Sequence, residues 1–281
     1  KGKRLRAVEV KRPLQDLIDV ARDCPELLMA LLHLKRHKTS VAHHLVNSTV
    51  LTICMTRRFE LTRAERSELA MIAILHCFGR AFVAPDGRES AHSLEHRYAL
   101  ESVKKLATAA AMSTRTLGRL VVANETRMWA FRRGDLQNAD YPFDTGTAAR
   151  LIAVAHAYDL LTTPRPGAPA LLPDEALRVL IAEAGRRYDE TVVKLLINEL
   201  GVYPVGSVVA LNDGRTAIVV DAPRDSAGPT RPRIKIIRDA HNRATDGAML
   251  DLAGDAGADV HIVRCVDPEE AQSNTPAFLL G

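Results

Sequence analysis

The feature that most limits the fold of this chain is a change of hydrophobic period at Gly201. Before it, apolar residues recur at spacings of three and four, as in LQDLIDVA, where Leu14, Leu17, Ile18 and Ala21 share one helix face. ELLMALLHL repeats the pattern after Pro25, so two short helices are expected with a break near that proline. Further helices are expected over about 41–57, 62–79, 93–110, 113–131, 146–161, 173–185 and 189–200, each bounded by Gly, Pro, Ser or Asp. Thr62 and Glu65 have the spacing of a capping box. After Gly201 the runs SVVAL and RTAIVV flank NDG, which predicts a β-hairpin. Two more strands are expected at RPRIKIIR and DVHIVRCV, the first preceded by a Gly-, Ser- and Pro-rich link over 222–230. The chain therefore reads as mainly α, a helical bundle with a small C-terminal β subdomain. Residues 1–36 are expected to form N-terminal helices packing on the bundle, 37–202 the helical domain, and 203–281 the β subdomain and tail.

Composition removes several function classes. With 281 residues and 47% hydrophobic content, the chain can build two modest cores. The 38 basic and 34 acidic residues leave a net charge of +4 spread over a mixed surface. Only KGKRLRAVEVKR is locally basic, and it reads as a solvated segment, so nucleic acid is not an expected partner. A membrane is not expected either, because the sequence holds neither an 18-residue apolar run nor a charged-then-apolar leader. Cys24, Cys54, Cys77 and Cys265 lie far apart without a CxxC pair, which fits a reducing cytoplasm and implies no disulfide framework. The first residue is Lys1, not Met, so a processed chain or a piece of a longer protein is expected.

Chemistry concentrates in ILHCFGRAF, where His76 and Cys77 end an apolar run at a helix exit. A second histidine, His44, closes RHKTSVAHH at the entrance of the preceding long helix. Antiparallel helices could bring the two together, but a buried histidine is more often held by a backbone carbonyl than by a metal.

The order of the surrounding blocks resembles the HD-GYP family, the bacterial branch of the HD-domain metal phosphohydrolases, whose members hydrolyse cyclic di-GMP. DCPELLMALLHLKRHKTSVAHHLVNSTV is similar to the family's lead-in helix and first metal histidine, which falls on His44. ELAMIAILHCFGR is similar to the segment bearing the His-Asp doublet and a following lysine, here His76, Cys77 and Arg80. RLIAVAHAYDLLTTPRP resembles the late helix that supplies an aspartate ligand, and YDETVVKLLINELGVYPVGSVVALNDG the closing helix and β tail. The resemblance implies an HD-type bundle, two or three metal ions bridged by carboxylates, cyclic di-GMP as ligand, and another signalling protein or domain as partner.

The departures fall on the metal ligands. Cys77 replaces the doublet's aspartate, Arg80 the lysine and His156 the late aspartate. Tyr98 stands near the next histidine, and Glu125 and Thr126 align with a later His-His pair. The signature tripeptide is reduced to Asp140, Tyr141 and Pro142. A soft thiol cannot serve as a bridging carboxylate for manganese or magnesium, so the family's dinuclear hydrolysis is expected to be lost. On this reading His44, His76, Cys77 and Arg80 are remnants, Cys77 a small packed hydrophobe and His156 a helix-face residue, with no cofactor. The sharper alternative joins His44, His76, Cys77, Glu125 and His156 in a rebuilt single-zinc site. Nucleotide or partner contacts are expected at Trp129, Asp140, Tyr141, Pro142 and Arg165, Tyr141 as an aromatic anchor within a mixed-charge loop. The expected function is a catalytically degenerate regulatory or interaction module. The rivals are a working phosphohydrolase on an altered site and a cyclic dinucleotide sensor that does not hydrolyse its ligand.

Overall fold

The computed structural model describes residues 7–33, 40–84, 91–109, 113–131, 146–165, 169–222, 230–268 and 270–271. Among these, the helices are α1 (Ala7–Asp23), α2 (Pro25–His33), α3 (Val41–Met55), α4 (Arg63–Leu75), α5 (Ala91–Ala109), α6 (Thr114–Phe131), α7 (Thr147–Thr162), α8 (Pro173–Ala182) and α9 (Glu190–Leu200). Strands follow at β1 (Val208–Leu211), β2 (Thr216–Asp221), β3 (Arg233–Arg238), β4 (Met249–Asp251) and β5 (Ile262–Val266). The chain is thus mainly helical with a small C-terminal antiparallel sheet, as the change of period predicts. No helix among the described residues is long and apolar enough to cross a membrane.

The chain divides into two compact units. The first comprises Lys1–Asp23, Ser40–Asp159 and Glu183–Val193. Within it α3 is buried from His44 to Met55 except at Val46. So many polar residues can sit in this core because Thr49, Thr52 and Thr56 donate their hydroxyls to the carbonyls of Leu45, Ser48 and Thr52 at 2.7, 2.7 and 2.9 Å. The Ser40 hydroxyl caps the helix by accepting from the His43 amide at 3.2 Å. At the start of α4 the capping box forms: the Glu65 amide donates to Thr62 Oγ1 at 3.3 Å and the Thr62 amide to Glu65 Oε2 at 2.8 Å. Arg119 on α6 grips Glu68 on α4 with two parallel hydrogen bonds of 2.7 and 2.9 Å.

The sequence predicts one helix over 62–79, but α4 stops at Leu75 and a 3-10 turn covers Phe78–Ala81. Gly79 explains the break. Its amide donates to Ser102 Oγ of α5 at 2.7 Å, and a Cβ on it would fall on the Tyr98 carbonyl and the Ser102 amide. Only glycine lets the backbones approach this closely. The chain leaves the helix at Cys77, with φ −127° and ψ 32°, which aims His76 and Cys77 inward together.

The second unit comprises Cys24–Thr39, Leu160–Ala182 and Lys194–Gly281, and contains the sheet, in the order β4-β3-β2-β1-β5. The hairpin at NDG forms with Gly214 at φ 84°, a backbone state that side chains disfavour. Alternation sends Val209, Ala217, Val219, Ile234 and Cys265 to one apolar cluster and Val208, Ile218, Ile237 and Val266 to another. The sequence predicts four strands here; β4 is a fifth, pairing Met249, Leu250 and Asp251 with Lys235, Ile234 and Arg233. Burial, reinforced by nearby Asp174, pushes the Cys265 thiol up to about 12, so it stays protonated and inert.

Candidate metal centre

Three elements of the first unit meet at one point. The first turn of α3 supplies His44, the exit of α4 supplies His76 and Cys77, and the middle of α7 supplies His156. One donor atom from each lies within 4.8 Å of all the others, and every one of the four residues is buried. His44 is 6% exposed, His156 5%, and His76 and Cys77 are both 0%.

The rings are held from behind. His44 Nδ1 lies 2.6 Å from Asp159 Oδ2, while the amide of the Asn47 side chain donates to Asp159 Oδ1. Because Asp159 follows His156 by three residues and Asn47 follows His44 by three, each pair shares a helix face. His76 Nδ1 lies 2.5 Å from the Ala73 carbonyl. The opposite nitrogens converge: His156 Nδ1 is 2.9 Å from His44 Nε2 and 3.0 Å from His76 Nε2. The ring centroids of His44 and His76 lie 4.6 and 5.1 Å from that of His156, both edge-on. On the outer side, His156 Nε2 is 4.0 Å from Glu95 Oε2, whose other oxygen is 3.8 Å from Arg80 Nη1. The Arg80 guanidinium stands 5.1 Å from the ring centroid of Tyr98.

The surroundings favour a thiolate. Burial alone disfavours a charged sulfur, but the charges of His76 and His44 and hydrogen bonds from both outweigh it, holding the Cys77 thiol well below its ordinary value. Burial likewise opposes the His44 imidazolium, and Cys77 with Asp159 more than offsets that, so His44 is raised. A cysteine sulfur that converges with three imidazoles is a donor set able to ligate a metal.

The structure therefore differs from two sequence expectations. Cys77 does not sit among aliphatic side chains alone, and His156 points into the core against two other histidines. Of the residues considered as ligands, His44, His76, Cys77 and His156 come together, whereas Glu125 does not join them. Its half-buried carboxylate accepts from the Gly146 amide at 3.3 Å. The Thr126 hydroxyl is engaged by the Val122 carbonyl at 2.8 Å. Arg80 flanks the centre through Glu95. Arg165 is half-buried and belongs to the second unit. The Trp129 side chain and the whole of Asp140, Tyr141 and Pro142 lie outside the described residues. Sequence reasoning missed the supporting residues Asn47 and Glu95. The signal was the pair of three-residue spacings from the two ligand histidines.

Residues 208–274 match the family model described as "KOW domain associated with HD domain". The chain is 26% identical over 260 residues to a cyclic di-GMP phosphodiesterase of Pseudomonas aeruginosa, covering 88% of this chain and 59% of that protein. It is 26% identical over 201 residues to the cyclic di-GMP phosphodiesterase PdeB of Borreliella burgdorferi, covering 69% and 51%. The chain thus spans little more than half the length of either relative.

Proposed function

Because the chain belongs to the HD-GYP family, we propose that it works in cyclic di-GMP-type signalling as a domain that does not hydrolyse phosphodiesters and acts in regulation or protein interaction. One observation carries this reading: the buried centre offers His44, His76, Cys77 and His156, with a thiol and an imidazole where the family resemblance calls for carboxylates. Phosphodiester hydrolysis on paired ions needs bridging oxygens and an ion-bound water to attack phosphorus. Three imidazoles and one thiol make a single tetrahedral shell with no position left for that water. The donors present therefore do not fit the bridged pair, and one zinc ion is the cofactor they suit. Cys24 is exposed and Cys54, Cys77 and Cys265 are buried, all as free thiols, which supports a reducing cytoplasmic setting.

The partner on this reading is another signalling protein or domain, met at Asp140, Tyr141 and Pro142. Cyclic di-GMP bound without hydrolysis is a second ligand to test.

A single-metal hydrolase is the competing reading, and Glu95 favours it. Its carboxylate, 4.0 Å from His156 Nε2 and 3.8 Å from Arg80, puts a proton acceptor beside the centre. The deciding assay offers cyclic di-GMP and a generic phosphodiester to the protein with manganese, iron(II) or zinc. Turnover is expected to match a buffer control with each ion. Turnover above that control, abolished by His76→Ala, would assign the hydrolase instead.

A further inference from the structure

We infer that His44 Nε2, His76 Nε2, Cys77 Sγ and His156 Nδ1 bind one zinc-class divalent ion in a closed shell of four protein donors. The inference rests on the reading of this centre as unfit for a bridged pair of ions, and it is independent of whether the protein turns over a substrate.

A backbone carbonyl can only accept, so the 2.5 Å contact with Ala73 places a hydrogen of His76 on Nδ1 and turns Nε2 toward the centre. The Asp159 carboxylate, 2.6 Å from His44 Nδ1, does the same for His44. Both Nε2 atoms lie against His156 Nδ1, at 2.9 and 3.0 Å. A single hydrogen on that nitrogen can be directed to only one of them. With the Cys77 sulfur added, four donor atoms converge within 4.8 Å of one another among buried residues. A cation at the meeting point would engage all four donors at once.

The nitrogen separations about His156 are close to those of a zinc shell. Nitrogen donors at about 2.0–2.1 Å from a tetrahedral zinc stand roughly 3.3 Å apart. The observed separations of 2.9 and 3.0 Å need to open by only a few tenths of an ångström. The donor softness selects zinc, or cobalt as its surrogate, over manganese and magnesium. The outer contacts also follow the pattern of metal-bound histidines, which hand their second nitrogen to a carboxylate or carbonyl: Asp159 for His44, and the Ala73 carbonyl for His76. An ion held this way cross-links α3, α4's exit and α7 within the first unit.

The test is cobalt(II) titration of the full chain after chelator treatment, followed by zinc competition. One cobalt per chain is expected, with the intense visible bands of a tetrahedral ion and a thiolate-to-cobalt charge-transfer band, all displaced by equimolar zinc. Cys77→Ser should lose the charge-transfer band while keeping the helical circular dichroism. His156→Ala should weaken zinc binding by at least about a hundredfold. Should either variant fail to fold, the parent's own spectrum decides. Two ions per chain, or a folded parent binding cobalt without the thiolate band, would overturn the inference. A one-ion thiolate spectrum together with phosphodiester turnover would sustain the shell and overturn the non-hydrolysing reading.

Discussion

Gly79→Ala should destabilise the protein by about 3 kcal/mol or more, because the new Cβ lands on backbone rather than on a side chain that could rotate away. The atoms in its path are the Tyr98 carbonyl, the Ser102 amide and Ser102 Oγ, all on α5. Relief would require the turn to lift off α5, breaking the 2.7 Å hydrogen bond from the Gly79 amide and moving Arg80 relative to Glu95. His76 and Cys77 immediately precede that turn, so loss of stability and loss of metal affinity should appear together. Gly118 supplies the control: it is an exposed glycine inside α6, and a Cβ there meets nothing within 4 Å. Gly118→Ala should therefore stabilise by about 0.5–1 kcal/mol. Urea unfolding reads both as midpoint shifts at constant slope. Equal midpoints for the two variants would show that the turn and α5 are not in backbone contact.

Asp159→Ala should cost about 3 kcal/mol, since it deletes an acceptor shared by the buried His44 ring and the Asn47 side chain. The loss should be strongly non-additive with His44→Ala, because the second substitution removes one of the donors that the first leaves behind. Additive losses in that double-mutant cycle would mean that Asp159 acts elsewhere in the core. Metal affinity should also fall in Asp159→Ala, by about ten- to a hundredfold, as it does when the carboxylate behind a ligand histidine is removed.

The residues differ in how much of this the sequence could foretell. Helices with one apolar face, such as α1 with Leu14, Ile18 and Ala21 buried, are legible from spacing alone. The hairpin at Gly214 is legible from its turn residues. β4 is not, because Met249–Asp251 is too short to show alternation and becomes a strand only by pairing with β3. The true end of α4 is hidden because the apolar run continues through Phe78, and only Gly79 marks the close approach that breaks it.

For the centre, the residue types were visible but their directions were not. Helix α7 is buried on every side from Leu151 to Asp159, so periodicity gives no inward face and His156 reads equally well as a helix-face residue. Glu125 has a suitable chemistry and the wrong position, a distinction that needs three dimensions. Cys77 reads as a hydrophobe because a free cysteine usually is one. What changes its meaning is the presence of three imidazoles around it, contributed by residues 33 positions before, one before and 79 positions after it, at 44, 76 and 156.

The most direct test of a mononuclear, soft-donor centre is X-ray absorption at the zinc edge of the zinc-loaded full chain. Three nitrogen neighbours at about 2.0–2.1 Å, one sulfur at about 2.3 Å and no metal neighbour are expected. A shell of oxygen and nitrogen alone, or a second metal at about 3.5–4 Å, would contradict it and return the site to the bridged chemistry of a phosphodiesterase.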